Sequence, residues 1–212
     1  MKIKWFGHAC FKLTSQRGVS VITDPFDQSV GYDLPGQSAD VITVSHDHYD
    51  HNYVEGVRGV PLLINKVGEF HIKDVAIRGI KTWHDEMGGA KRGENIVFNI
   101  RMDDINICHL GDLGHMLSQE QVADIGAVDV LLVPVGGIFT VDKVGAMGVI
   151  QAIKPRMVIP MHYRTDVLTF KIDTIDPFLE IVGDYERHDT NEIELNNKTL
   201  PSDGRVVVLN YK

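Results

Sequence analysis

Val41-Ile42-Thr43-Val44-Ser45-His46-Asp47-His48-Tyr49-Asp50-His51 is the stretch whose reading decides this chain. Val41–Val44 is apolar and β-branched, the pattern of a short strand buried on both faces. It stops at Ser45, and three histidines fall within the next six residues. Strand-end loops are where a rigid scaffold presents functional groups. In extended chain, His46 and His48 point to the same side and can grip one ion. A helical turn beginning near Asp50 would make Asp50 and His51 diverge from that pair and serve a second ion. Imidazole and carboxylate without thiolate suit Zn²⁺, with Mn²⁺, Fe or Ni²⁺ as alternatives.

Outward from this cluster, short strand-like pieces come first: Ile3–Phe6, Cys10–Leu13 and Val19–Thr23. Val75–Trp83, Ile96–Arg101 and Ile105–Leu110 follow, and Asp103-Asp104 between the last two suits a hairpin turn. Ser118–Ile125 reads as a helix with Ser118 and Gln121 as a capping box. Val130–Val135 and Met157–Met161 are buried strands. Val141–Ile153 reads as a helix stopped before Pro155, with Thr140 or Asp142 to cap it. Asp176–Val182 looks helical, and Arg205–Tyr211 is a last strand. Strands in bursts, then strands alternating with helices, fit a mixed sheet structure covered by helices in one domain spanning residues 1–212. Periodicity alone leaves the topology open.

The string His46-x-His48-x-Asp50-His51 resembles the metal-binding motif of the metallo-β-lactamase fold superfamily. Later motifs of that family appear in order over nearly the whole chain. Asp24, in Thr23-Asp24-Pro25, resembles the aspartate that supports the site from behind. Trp83-His84 resembles a further histidine motif, Leu110-Gly111-Asp112 the bridging aspartate, and Pro160-Met161-His162 the last histidine. Gly7-His8-Ala9 and Gly111-Asp112-Leu113-Gly114 are similar to a branch of stand-alone metal-dependent hydrolases. That branch includes ascorbate-6-phosphate lactonase and N-acyl phosphatidylethanolamine phospholipase D. The resemblance implies an α/β fold, a four-layer αββα sandwich with the metals at one edge of the sheets. It implies one ion on His46, His48 and His84, a second on Asp50, His51 and His162, and Asp112 bridging both.

His109 lies three residues before Asp112 and competes with His84 as the third histidine of the first ion. In a regular strand His109 and Asp112 face opposite ways, which favours His84. His8 is read as a partner that orients a ligand or lines the pocket. His115, in Asp112-Leu113-Gly114-His115, is either a proton donor to the leaving group or a solvated loop histidine. His71 and His188 read as surface residues. Gly136-Gly137 marks a tight turn or a close backbone approach to substrate. Lys91, Arg92 and Arg164 are either anion-recognising groups or ordinary surface charge.

Two cations sharing a water lower its pKa, so the expected chemistry is attack by a metal-bridging hydroxide. Asp50 and Asp112 offset part of the metal charge and help orient it. The expected function is hydrolysis of an ester, lactone or related bond in a small, anionic metabolite. A phosphodiesterase or nuclease on the same site is the alternative, and a non-catalytic metal-binding protein is a further one. Of 212 residues, 43% are hydrophobic and 24% charged, and the net charge is −8. That balance fits a soluble globular protein and argues against a generally basic nucleic-acid-binding surface. No apolar run approaches the roughly 18 residues of a membrane span. The first residues lack the pattern of a signal peptide, so the expectation is a cytoplasmic protein. Cys10 and Cys108 then read as buried free thiols. The expected partner is a small molecule, without membrane or nucleic acid, and self-association is left open.

Overall fold

The structure, a computed structural model, describes residues 1–34 and 36–211. Strands β1 (Lys2–Gly7), β2 (Cys10–Thr14), β3 (Ser20–Thr23), β4 (Val41–Thr43) and β5 (Leu62–Ile64) come first. Next are β6 (Gly68–Ile72), β7 (Val75–Trp83), β8 (Glu94–Met102) and β9 (Ile105–His109). Helices and strands then alternate as α1 (Gln119–Ile125), β10 (Val130–Pro134), α2 (Lys143–Ile153), β11 (Met157–Met161) and α3 (Asp176–Val182). β12 (Tyr185–Arg187), β13 (Glu192–Glu194) and β14 (Arg205–Val208) finish the chain.

The strands form a six-stranded sheet, β13-β1-β2-β3-β4-β5, and an eight-stranded sheet, β12-β14-β11-β10-β9-β8-β7-β6. Strand alternation divides the six-stranded sheet between two apolar clusters. Trp5, Phe11, Val21 and Val41 join the large core shared with the eight-stranded sheet and the helices. Their neighbours Ile22 and Ile42 face the other way, onto Phe26, Val30, Leu168 and Ile172. α1 packs on β7 and β8, α2 on β10, and α3 on α2. The expected layers are thus two sheets with α-helices over the eight-stranded one. Over the six-stranded sheet, among the described residues, the cover is loop and single 3-10 turns, Gln28–Val30 and Val54–Gly56. Pro25, Gly31 and Gly36 interrupt that segment and leave no run long enough for an α-helix.

Local chemistry accounts for the joints. Asp103 and Asp104 sit at φ 51° and 59°, the left-handed pair that a two-residue type I′ hairpin requires. Ser118 caps α1 in a reciprocal capping box with Gln121. Asp142 caps α2 by accepting from the N–H groups of Val144 and Gly145; Thr140 does not cap it. The last strand ends at Val208 instead of Tyr211. Cys10 and Cys108 are buried and free.

The topology puts five strand ends together. β3 and β4 are parallel neighbours, as are β9, β10 and β11. β7 points the same way as β9, because two antiparallel pairings separate them. The carboxyl ends of β3, β4, β7, β9 and β11 carry Asp24, the 45–51 loop, His84, Asp112 and His162.

Candidate metal centre

His46, His48 and His84 come together so that one ligand atom from each lies within 4.8 Å of the others. Asp50, His51, His162 and His8 form a second group by the same measure. The Asp112 carboxylate stands between the groups. Its Oδ2 is 3.3 Å from His84 Nε2, 3.2 Å from His162 Nε2 and 4.0 Å from His46 Nε2. Its Oδ1 is 3.3 Å from His51 Nε2. The structure therefore gathers all seven residues expected as ligands.

Buried partners aim these groups. Asp24 Oδ1 accepts the backbone N–H of Ser45 at 2.8 Å. Asp24 Oδ2 accepts the Ser45 hydroxyl at 2.5 Å and His51 Nδ1–H at 2.8 Å. The single Ser45 hydroxyl proton goes to Asp24, so the contact of Ser45 Oγ with His46 Nδ1 at 2.9 Å has the imidazole as donor. One carboxylate thereby fixes a proton on Nδ1 of both His46 and His51 and turns both Nε2 atoms toward the cluster. Asn95 does the same for the bridging loop. It accepts the Asp112 N–H at 2.9 Å and donates to Leu110 O at 2.9 Å and Thr82 Oγ1 at 2.8 Å.

The backbone is bent to fit. Asp24, His8 and His162 adopt left-handed φ of 40°, 50° and 50°, a conformation that costs non-glycine residues about 1–2 kcal/mol. Strain of that kind persists where surrounding structure over-determines it. His162 N–H donates to His8 O at 3.1 Å, joining two of the three. At Gly111, φ is 55° and a Cβ would lie 2.4 Å from Asn95 Oδ1, so only glycine lets Asp112 approach. A register shift in the β1–β2 pairing turns His8 inward, where its Nε2 lies 3.0 Å from Asp50 Oδ2.

Two histidines close to Asp112 in the chain, His109 and His115, fall outside the groups. His109 donates from Nε2 to Ala9 O at 2.8 Å, and its Nδ1 accepts the Gly111 N–H at 3.2 Å. Both nitrogens are engaged by backbone, which leaves the third position beside His46 and His48 to His84. The expectation for His115 as proton donor requires correction. Its Nε2 accepts the Trp83 N–H at 3.1 Å and its Nδ1 donates to Met116 O at 2.8 Å. The ring staples the loop after Asp112 to the strand before His84 and presents no nitrogen to the cluster. Arg164 is exposed and lies away from the centre's cavity, whereas Lys91 and Arg92 border it. Sequence reading missed Asp85. Its buried carboxylate accepts four backbone N–H groups, from Met87, Gly89, Lys91 and Arg92, at 2.7–3.0 Å. Burial pushes its pKa up, but these donors hold it down at about 2.

The electrostatics suit cations. Burial raises the Asp112 carboxyl, yet His162 and His51 beside it keep it well below the usual range. Asp50 is likewise held down against burial by His51 and His8. Burial, with His51 nearby, lowers His46 to about 3. Burial, with His162 nearby, lowers His8 to about 4. His84 is lowered mainly by burial. His51 goes the other way: burial lowers it, but Asp112, Asp24 and Asp50 raise it well above 6.5. His51 Nε2 and Asp112 Oδ1 are buried without a hydrogen-bond partner. Ionised carboxylates, imidazole nitrogens turned inward and buried polar atoms without a hydrogen-bond partner together fit divalent metal ions, which displace the His51 Nε2 proton on binding.

These shifts set a pH dependence for the chelator-treated protein. His8, His46, His84 and His109 all have folded pKa values below about 6.5. The unfolded chain takes up those protons first, so stability falls as pH drops from about 6.5 toward 4, by up to about 1.4 kcal/mol per pH unit for each imidazole. His51 is protonated in both states across that window, and the depressed carboxylates lose their contribution only below about 3.8. Thermal melting at pH 7 and pH 4.5 is expected to give the lower Tm at pH 4.5. An unchanged or higher Tm there contradicts the assignment of neutral imidazoles.

Comparison with known proteins agrees with this geometry. The beta-lactamase superfamily domain matches residues 2–162. A UPF0173 metal-dependent hydrolase of Thermoplasma acidophilum is 30% identical, over 87% of this chain and 93% of its own. A crystal structure from Thermotoga maritima, described as a candidate Zn-dependent hydrolase of the metallo-β-lactamase superfamily, superposes with a TM-score of 0.82. It is 41% identical, with 98% of this chain and 97% of that one covered. The metallo hydrolase Igni18 of Ignicoccus hospitalis shares the fold at 20% identity, with a TM-score of 0.66 over 99% of this chain and 94% of its own. The chain belongs to the metallo-β-lactamase superfamily of metal-dependent hydrolases.

Proposed function

We propose that this chain holds two divalent ions and hydrolyses a carboxylic ester or lactone in a small, anionic metabolite. His46, His48 and His84 would hold one ion and Asp50, His51 and His162 the other, with Asp112 shared. Zinc is the first choice of metal, and manganese, iron and nickel suit the same donors. The observation that carries the reading is the Asp112 carboxylate, within 3.2–4.0 Å of imidazoles from both groups. When bound, such an ion pair polarises the scissile group and lowers the pKa of water.

The residues around the pair do the rest. Asp112 and Asp50 stay ionised and lower the net charge of the centre. Asp24 and Ser45 hold a proton on Nδ1 of His46 and His51, so that an ion would meet Nε2 of each ring. His8 donates Nε2–H to Asp50 Oδ2, which leaves Oδ1 as the less encumbered oxygen. The substrate side is a cavity of about 480 Å³ floored by His48, Asp50, His84 and Asp112, a size suited to a small ligand. No helix among the described residues is long and apolar enough to cross a membrane.

The reading is tested with an aryl ester, a homoserine-type lactone and a generic phosphodiester, assayed with Zn²⁺ and with Mn²⁺. Turnover of ester or lactone, lost on chelation, is the expected result. Rapid phosphodiester cleavage without ester or lactone turnover reverses the order of preference.

A further inference from the structure

We infer that the substrate joins a flat apolar group to a carboxylate or phosphate, and that Arg92 is the residue that selects the oxyanion. This rests on the hydrolytic reading of the centre. The walls of the 480 Å³ cavity above the ligand floor are Tyr49, Phe139, Phe170, Lys91 and Arg92. Tyr49 is 56% and Phe139 36% exposed. Aromatic rings left open to water on the wall of a cavity, rather than folded into the core, recognise apolar ligand surface. Phe139 and Phe170 meet edge to face at 6.3 Å and together form an apolar aromatic wall on which a flat group can lie.

The positive charge is placed as selectively. Lys91 Nζ is 2.5 Å from a Glu86 oxygen, so its charge is matched. Half-buried Arg92 has no carboxylate within ion-pair distance among the described residues. Its Nη2 donates to Ile138 O at 3.2 Å, and its guanidinium lies over the Phe139 ring at 5.4 Å. The remaining N–H groups of a planar fork suited to carboxylate or phosphate are available. A larger cavity of about 670 Å³ is also lined by Arg92, together with His46 and His48, and there Glu55 and Glu94 stand. Those carboxylates disfavour an anion there, which favours the cavity lined by Phe139.

Arg92 is also held in place before substrate arrives. Its backbone N–H donates to Asp85 at 2.7 Å, and the next residue's carbonyl, Gly93 O, accepts the His84 N–H at 3.1 Å. The loop is thus tied directly to a ligand residue. Across the mouth, Ile138 sits at φ 58°, a strained conformation for a β-branched residue, and it is this residue's carbonyl that Arg92 grips. Preorganisation of both walls reduces the entropy lost on binding.

The test measures binding of phenylacetate, benzylphosphonate, neutral phenylacetamide and acetate to the zinc-loaded protein by calorimetry, with metal content checked for each variant. Wild type is expected to bind the two aromatic anions at least about tenfold more tightly than phenylacetamide, and phenylacetate more tightly than acetate by a similar factor. Arg92→Gln is expected to shrink the anion preference to within about threefold, and Arg92→Lys to restore part of it. Phe139→Ala is expected to weaken all three aromatic ligands alike. The two aromatic anions separate a carboxylate-reading from a phosphate-reading site. An anion preference as large in Arg92→Gln as in wild type overturns the assignment, because the metals alone would then hold the anion. Arg92-dependent binding in a protein that turns over no ester, lactone or phosphodiester overturns the hydrolytic reading instead.

Discussion

Asp112→Ala is expected to weaken divalent-metal binding by at least about a hundredfold and to abolish measurable hydrolysis, with the fold retained. Asp112 is 2% exposed and touches imidazoles from both groups. Removing one partner of a buried charge pair costs about 3–5 kcal/mol, or roughly two to three and a half powers of ten in affinity. The large apolar core lies between the sheets and does not depend on this carboxylate. Asp112→Asn keeps the shape and loses the charge, so it should fall between wild type and alanine. Competition with a chelator of known affinity measures the loss, and circular dichroism checks the fold. Affinity within about threefold of wild type in the alanine variant removes Asp112 from the centre.

Asp24→Asn is expected to lower metal affinity or activity by about 10–100-fold although Asp24 touches no expected substrate atom. Three donors converge on its two oxygens: the Ser45 N–H, the Ser45 hydroxyl and His51 Nδ1–H. Asparagine has one oxygen and one NH₂, so at least one donor must face another donor inside a fully buried site. Either choice disturbs the tautomer of His51 or the Ser45 link to His46. Ser45→Ala breaks only the His46 branch and should therefore weaken the first ion more than the second. Stepwise metal titration separates the two variants. Equal and unchanged occupancy in both would mean that the hydrogen-bonded chain does not orient the ligands.

The main strands were legible because their signal is local. Val75–Trp83 and Met157–Met161 emerge with the bounds expected from their apolar patterning. Asp103-Asp104 announces its turn by side-chain chemistry alone. The strands that sequence reading passed over are β5, β6, β12 and β13. Tyr185–Arg187 is exposed throughout and Leu62–Ile64 is three residues long with Leu62 and Leu63 open to water. Edge strands of this kind are held by a neighbour's ladder rather than by their own burial pattern, so the sequence carries little trace of them.

The centre divides the same way. His46, His48, Asp50 and His51 are neighbours in the chain, and their chemistry is visible there. His84, Asp112 and His162 were placed by motif order. The choice between His84 and His109 needed the fold, because it turns on which imidazole has its nitrogens engaged by backbone. His115 stayed open between two readings because sequence proximity to Asp112 says nothing of the Trp83 N–H that its ring accepts. Asp85 looks like one more acid in a charged stretch, and only the loop's return path shows that it organises residues 87–92. His8 meets Asp50 across 42 residues, a contact that no local pattern encodes.

Metal stoichiometry in protein purified under metal-replete conditions, determined by elemental mass spectrometry alongside the His84→Ala and His162→Ala variants, tests the account most directly. Two divalent ions per chain are predicted for wild type, with each variant losing one ion preferentially. One ion or none in wild type, or full occupancy retained in both variants, contradicts a dinuclear centre built around Asp112.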